Sequence, residues 1–456
     1  MARSFSTPCP IAPGARAPFL IWARLCKAGW TIRPGPSQPS SSTTSLSPGI
    51  PAMSEGLDEA RPTPAKAPPK RSRQSAARLK ILLDAGPAVH QSAGLARYTE
   101  SLASALWRHC RDTVDLNLFY NRHSGHQLPA SLSPIPARAF PLGQYPWRLG
   151  VLACQLLRAP VVDRKLGAGD IYHATEHLLP WTSRPSVLTV HDLIFERYPQ
   201  HHTLANRSFL RVAMPLFVRR ADAIIAVSRH TKQDLLELYG TPAHKVFVVE
   251  EGIEEQFRPA LEEEIRQVKE KHGIRRPYLL MVGTLEPRKN HRLAFEALAR
   301  LKAGGFPHCL VVAGGGGWLF DDVQRKVDQL QLAADVLFAG RVPEEDLPAL
   351  YSGADCFLMP SLYEGFGIPV LEAMACGTPV VCSRASSLPE VAGPAACYIE
   401  QMTGEGLADT IRSVLSDPQT TQQMRTSGLR RAAHFRWQEA AMQTVDVYNA
   451  VAGGRH

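Results

Sequence analysis

Residues 361–381 read SLYEGFGIPVLEAMACGTPVV. A short apolar run, DCFLMP, leads into this stretch and another, PVVCS, leaves it, so a strand, a turn and a helix come before a second strand. Gly365 and Gly367 permit a tight turn with close backbone approach, and Pro369 suits the first turn of a helix, where its missing N–H leaves no bond unmade. The helix is predicted to begin near Ile368 and to run through Leu371, Ala375 and Cys376 to Gly377. Neither flanking run alternates polar with apolar residues, which is the pattern of a parallel strand covered on both faces. The class is therefore α/β.

The same unit recurs from RLKILLDAG onward. Candidate strands in the first half are 80–84, 115–120, 170–174, 187–191, 223–228 and 246–250, with helical patterns such as LARYTESLASALWRHC and RHTKQDLLELYG between them. The second half repeats the scheme with YLLMVG, CLVVAG, DVLFAG, DCFLMP, PVVCS and ACYIE. Two doubly wound parallel-sheet, Rossmann-like domains are expected, over 79–258 and 259–430, joined near GIEEQFRPALEEE. The last stretch, FRWQEAAMQTVDVYNAV within 431–456, carries apolar residues at helical spacing.

A chain of 456 residues, 45% apolar and 20% charged, has the composition of a globular protein and is too long for one ordinary domain. Lys and Arg outnumber Asp and Glu by 11 to 3 over residues 1–78, by 20 to 16 over 79–258, and are outnumbered 20 to 23 over 259–456. The net charge of +9 is thus mostly that of the first segment and is no nucleic-acid footprint. The slightly basic second segment leaves room for an anionic membrane surface or acceptor. Residues 1–78, rich in Pro, Ser, Arg and Ala, read as a disordered tail, and Met53 is an alternative start to Met1. The run PFLIWARLC is short and broken by Arg24, a poor signal peptide, and no run of apolar residues is long enough to span a bilayer. Nine scattered cysteines without a Cys-x-x-Cys pair suit reduced thiols in a cytoplasmic protein.

Ligands of open parallel sheets bind beyond the carboxyl ends of the strands, so two facing domains form a cleft walled by strand-end loops. Glu364 is expected on such a loop and Glu372 in the first turn of the helix after it, both facing the cleft. Free N–H groups at the helix start would seat a diphosphate, and a carboxylate accepts hydrogen bonds from both hydroxyls of a ribose or sugar.

Taken with EGFGIPVLEAMACGTPVV, the segments VGTLEPRKNHRLAFEAL, TVHDLIFERYP and SAGLARYTESLASAL resemble the family-four glycosyltransferases of GT-B architecture over about residues 79–450. The resemblance implies a retaining, metal-independent hexosyltransferase with a nucleotide sugar as co-substrate, no further cofactor, and a C-terminal helix crossing back to the first domain. It implies contacts of Glu364 with the donor sugar, of Glu372 with the ribose and of Lys289 with the diphosphate. Through it His191 lies beside the sugar, Gly94 sits on the loop before a helix starting at Leu95, and Thr284, Arg288, Gly365, Phe366, Gly367 and Ile368 line the donor site. GTLEPRKN with HDL is similar to the subgroup of surface-polysaccharide mannosyltransferases, of lipopolysaccharide and exopolysaccharide alike, which implies GDP-mannose ahead of UDP-glucose and a glycan or lipid-linked acceptor. The place of action would be the cytoplasm or the cytoplasmic face of the inner membrane. Many relatives carry an arginine at Thr284 and an asparagine at Glu251. An epimerase or hydrolase of nucleotide sugars, or a non-catalytic binding scaffold, are the other readings.

Taken singly, His191 reads as a structural histidine, Lys289 as a solvated lysine, and Glu372 as a charge favouring a helix start. Glycines 314–317 lack a following Gly-Lys-Ser/Thr and read as a flexible cleft turn before a helix beginning at Trp318. His201 and His202 lack the spacing of metal ligands. Residues 204–222 mix basic and apolar side chains, and a core-facing helix with solvated arginines is favoured over one resting on a membrane.

Overall fold

The computed structural model describes residues 78–90, 94–122, 127–201, 203–316 and 320–454. The expectations of a disordered tail, of a start at Met53 and of a helix beginning at Trp318 fall on residues outside these. The first sheet holds seven strands: β1 (Leu79–Asp84), β2 (Val114–Asn121), β3 (Ala137–Phe140), β4 (Ile171–Ala174), β5 (Ser186–Val190), β6 (Ala223–Ala226) and β7 (Val246–Val248). The second holds six: β8 (Tyr278–Val282), β9 (Cys309–Ala313), β10 (Val336–Gly340), β11 (Cys356–Met359), β12 (Val380–Cys382) and β13 (Cys397–Tyr398). Their spatial orders are β3-β2-β1-β4-β5-β6-β7 and β10-β9-β8-β11-β12-β13, and every pairing is parallel. In each sheet the winding direction reverses once, between β1 and β4 (Ile81 opposite Ile171) and between β8 and β11 (Leu279 opposite Cys356). Crevices for ligands open at such reversals.

β1 shows why both faces are covered. Ile81 and Leu83 pack with Leu102, Leu106 and Tyr448 on one side, while Leu82 meets Phe119, Tyr172 and Phe217 on the other. Strand side chains alternate in direction, so three consecutive apolar residues need two apolar layers. β3, with sequence ARAF, is the strand that periodicity overlooks, because it lies at the sheet edge and three of its four residues are exposed.

The helices that position the cleft are α1 (Gly94–His109), α2 (Gln144–Leu157), α3 (Leu204–Arg220), α4 (Arg229–Tyr239), α5 (His291–Ala303), α6 (Ile368–Ala375) and α7 (Trp437–Gly453). The C-terminal α7 packs on α1 of the first domain, as the architecture implied. Its Tyr448 hydroxyl lies 2.7 Å from Nδ1 of the buried His173, whose Nε2 is 2.9 Å from the Thr189 hydroxyl. Burial, with the nearby His191, pushes the His173 pKa down to about 3, so this imidazole is neutral. On the way to α7 the chain passes the interdomain linker at backbone distance. The Ile253 N–H donates to the Phe435 carbonyl at 3.1 Å, and a side chain at Gly252 would lie 2.2 Å from the Trp437 nitrogen.

The seven described cysteines are all free thiols, six of them buried. Among the described residues no helix is long and apolar enough to cross a membrane.

Candidate active site

Two strand ends flanking the second reversal deliver the central charges. After β8 the chain turns through Gly283 and Thr284 into a short 3-10 turn, Pro287–Lys289, that carries Arg288 and Lys289. After β11 comes the loop bearing Glu364. Nζ of Lys289 lies 2.9 Å from Oε1 of Glu364, and Arg288 bonds both Oε2 of Glu364 and, at 2.8 Å, Oε1 of Glu286. Lys289 is buried with Glu364, not solvated. Burial alone would raise the Glu364 pKa, but the charges of Arg288 and Lys289 outweigh it and hold the carboxyl at about 2. Burial pushes the Lys289 ammonium down against the pull of Glu364, whereas the carboxylates around Arg288 overcome burial and bind its proton more firmly.

Glycines make this geometry possible. Gly283, at φ +141°, leaves room for the Lys289 stem, since a side chain there would meet Lys289 Cε at 3.1 Å. Gly314 is not a loose turn, because a Cβ on it would fall 1.9 Å from the Gly283 carbonyl oxygen. Gly365 brings the loop against the first domain, where a Cβ would lie 2.2 Å from the His191 carbonyl oxygen. The loop itself is pinned from behind. The Glu364 N–H donates to the Ser386 hydroxyl at 2.7 Å, and the Ser387 hydroxyl donates to the carbonyls of Glu364 and Phe366 at 3.0 and 2.7 Å. Gly367 at φ +110° caps α6, Ile368 opens it half-buried, and Phe366 is buried against Phe435. Thr284 stands half-buried on the loop after β8.

From the opposite wall, His191 follows β5. Its Nε2 lies 2.9 Å from the Thr175 carbonyl, which can only accept, so Nε2 is the donor. Nδ1 then faces Oε1 of Glu251 at 3.4 Å. Burial works against the charged form, yet the bond to and charge of Glu251 prevail, so the His191 pKa is raised. Tyr98 meets the ring edge-on, at 4.5 Å between centroids. Glu251 is therefore the partner of this histidine.

Two expectations need correction. Glu372 is the fifth residue of α6, in its second turn, and is 1% exposed. One oxygen pairs with Arg97 of α1 and the other accepts from the Tyr351 hydroxyl at 2.6 Å. The helix begins at Ile368, so eight positions beyond Glu364 necessarily passes the first turn. Gly94 is the first residue of α1 and not a loop residue before Leu95; it is exposed, and a side chain on it would touch nothing within 4 Å.

Sequence reading missed Arg97, Tyr351 and Glu254, which join the neighbourhood of Glu372. Arg97 also approaches Glu344 at 3.4 Å and lies over the Phe257 ring at 5.5 Å. Glu254 accepts from the Ser101 hydroxyl at 2.8 Å and is pushed up to about 7, by burial first and despite Arg97. Arg97 sits three residues past Gly94 within SAGLARYT, so the helical period would have put it one turn in, but nothing local names its partner.

What the cleft can do follows from these charges. Buried Lys289 and half-buried Arg288, both held by carboxylates, can change partners for another anion with paired oxygen acceptors, such as a diphosphate. A carboxylate thus released can accept hydroxyl hydrogens.

The family model described as "Glycosyl transferases group 1" matches residues 262–431, and that of "Glycosyltransferase Family 4" matches 92–257. The "O-antigen chain mannosyltransferase B" of Escherichia coli is 29% identical over 388 residues, covering 81% of this chain and 99% of that protein. The "GDP-mannose-dependent alpha-(1-6)-phosphatidylinositol monomannoside mannosyltransferase" of Mycolicibacterium smegmatis is 30% identical over 239 residues, covering 50% of this chain and 62% of that one. Among solved structures, Anabaena HepE in complex with UDP and glucose superposes with a TM-score of 0.63 at 21% identity, over 82% of this chain and 100% of that one.

Proposed function

As this chain belongs to the glycosyltransferases, with a family-four first domain and a group 1 second domain, we propose that it retains anomeric configuration as it transfers a hexose from a nucleotide diphosphate sugar to a hydroxyl of a glycan or lipid-linked acceptor. Mannose from GDP-mannose is the leading donor, in assembly of a surface polysaccharide at the cytoplasmic face of the inner membrane. The likeness to two mannosyltransferases supports the sugar, one of them named for GDP-mannose. The observation that carries the reading is the triplet of buried Lys289 and Glu364 with half-buried Arg288 at the reversal between β8 and β11.

In transfer, the bond from the anomeric carbon to the diphosphate oxygen breaks while the acceptor oxygen bonds to the same face. Negative charge grows on the leaving diphosphate, where Arg288, Lys289 and the start of α6 would receive it, so their attraction is stronger in the transition state than before it. The acceptor proton passes to the departing phosphate oxygen, which needs neither a covalent enzyme intermediate nor a metal ion. Glu364, freed from one cation, orients the sugar hydroxyls beside His191. Ribose hydroxyls bind Glu372 by taking the place of Arg97 or Tyr351.

The test is thermal denaturation with GDP, UDP, ADP and dTDP. A nucleotide at about a hundred times its dissociation constant adds roughly 2.7 kcal/mol to stability. We expect GDP alone to raise Tm, and Lys289→Ala to abolish the rise. A rise with UDP alone discards mannose, and no rise with any nucleotide discards the donor site. Product analysis then separates transfer, which yields a new glycoside of unchanged anomeric configuration, from epimerisation or hydrolysis.

A further inference from the structure

Eleven large apolar side chains are exposed among the described residues, and seven of them fall within residues 145–212. That concentration is not scatter. Tyr145, Leu149, Leu156 and Leu157 belong to α2, Val161 follows it, and Leu204 and Val212 belong to α3, which packs beside α2. Arg148 ties the two helices together, bonding Asn206 at 2.8 Å and lying over the Phe209 ring at 4.4 Å.

α2 is apolar on two opposite faces. Trp147 and Val151 are buried in the first sheet's core, with Leu152 packed against it, and Cys154 is buried on the same helix. Tyr145, Leu149 and Leu156 recur at helical spacing on the other side, where they are 80%, 64% and 58% exposed. A surface helix needs one apolar stripe, so the second has something else to meet. Around it lie basic residues. Residues 141–165 and 203–220 together hold eight Lys and Arg against one acidic residue, Asp163, which is already engaged by the Ser183 N–H at 2.9 Å. Arg158, Arg164, Lys165, Arg211 and Arg219 are exposed.

We propose that this face of α2 and α3 docks on a bilayer of anionic lipid, with the apolar stripe among the upper acyl chains and the basic residues at the phosphates. It rests on the functional reading above only in placing a lipid-linked acceptor within reach. The pairing of an apolar stripe with a basic surround is what an interfacial helix presents to such a surface. A second copy of the chain fits worse, because self-pairing would set arginines against arginines. On α3 the core face expected from the sequence exists, formed by Leu210, Ala213, Met214, Phe217 and Val218, and the outer face carries Arg211, Val212, Pro215 and Arg219.

The experiment is co-sedimentation of the full chain with vesicles of phosphatidylethanolamine and phosphatidylglycerol, and with vesicles of phosphatidylcholine alone. Wild-type protein is expected in the pellet with the anionic vesicles and in the supernatant with the neutral ones, and salt should reduce binding. Leu149→Glu with Leu156→Glu, and separately Arg211→Glu with Arg219→Glu, should each lower the bound fraction tenfold or more while leaving Tm and its response to nucleotide unchanged. As a readout independent of those variants, Leu149→Trp should show a blue-shifted emission on anionic vesicles. Absence of wild-type binding overturns the proposal. So does binding that survives both double variants, which would assign it to the basic residues 1–77, and so does a dimer that the leucine variants dissociate. Because nucleotide response is read without vesicles, failure here and failure of the transferase reading are distinguishable.

Discussion

At Glu254 the ordinary chemistry of a carboxylate is reversed. Its pKa of about 7 in the folded chain lies above the ordinary carboxyl value, with burial as the main cause. Between those two values the unfolded state has released the proton and the folded state has kept it, so stability falls as pH rises from about 4.5 to 7. Glu254→Gln should remove that slope and stabilise the chain at pH 7.5 by about 1–3 kcal/mol, which denaturant titrations at pH 5 and 7.5 would measure. Equal effects at both pH values would contradict the assignment. Glu364 behaves oppositely. Its carboxyl, near 2 when folded, contributes stability that is complete above the unfolded value and lost as pH falls toward 2. Two glutamates in one cleft therefore answer pH in opposite senses: Arg288 and Lys289 bond the Glu364 carboxylate directly, whereas Arg97 pairs with Glu372 and only offsets part of the burial of Glu254. The sequence made the carriers of charge legible at Glu364 and Lys289, where a motif names both partners. It could not reveal Arg97 and Glu372 as a pair, since 275 positions separate them and only the docking of two domains brings them together.

Among the elements, the loop between β11 and α6 is the most constrained. Gly365 has the His191 carbonyl where any side chain would begin, so Gly365→Ala must push the loop from the first domain or shift backbone. We expect a loss of at least ~2 kcal/mol in stability and a larger loss in nucleotide response than in Tm. An unaltered melting curve and nucleotide shift would remove the close approach as a structural requirement. This loop and its helix were legible because Gly, Gly and Pro fix backbone geometry locally. The twelve strands expected from apolar runs are present for the same local reason: buried parallel strands cannot avoid continuous apolar sequence. β3 lacks that signal because an exposed edge strand is held by one neighbour's backbone. Behind this loop, Ser387 bonds the Glu364 carbonyl, and Glu390 accepts the N–H groups of Arg229 and His230 at 2.9 and 3.1 Å, at the start of α4 in the other domain.

For the whole molecule, that carboxylate is one of several contacts by which the domains hold each other. The Tyr363 hydroxyl donates to Asp234 at 2.5 Å, and Arg97 of the first domain pairs with Glu372 of the second. Glu390→Ala should cost about 1 kcal/mol, as loss of a helix cap does, and should increase the radius of gyration in small-angle scattering without nucleotide. An unchanged radius would show that the remaining contacts keep the domains closed. The return of α7 to the first domain has a consequence of a different kind. Tyr448 and its helix complete the layer over Leu102, Leu106 and His173, yet they follow the whole second domain in the chain. On a ribosome adding about 5–20 residues per second, the first domain waits roughly 10–40 s, while the whole second domain is synthesised, with that layer uncovered. Of the two domains, the one made earlier is completed after the other, and in the interval its apolar surface is available to chaperones.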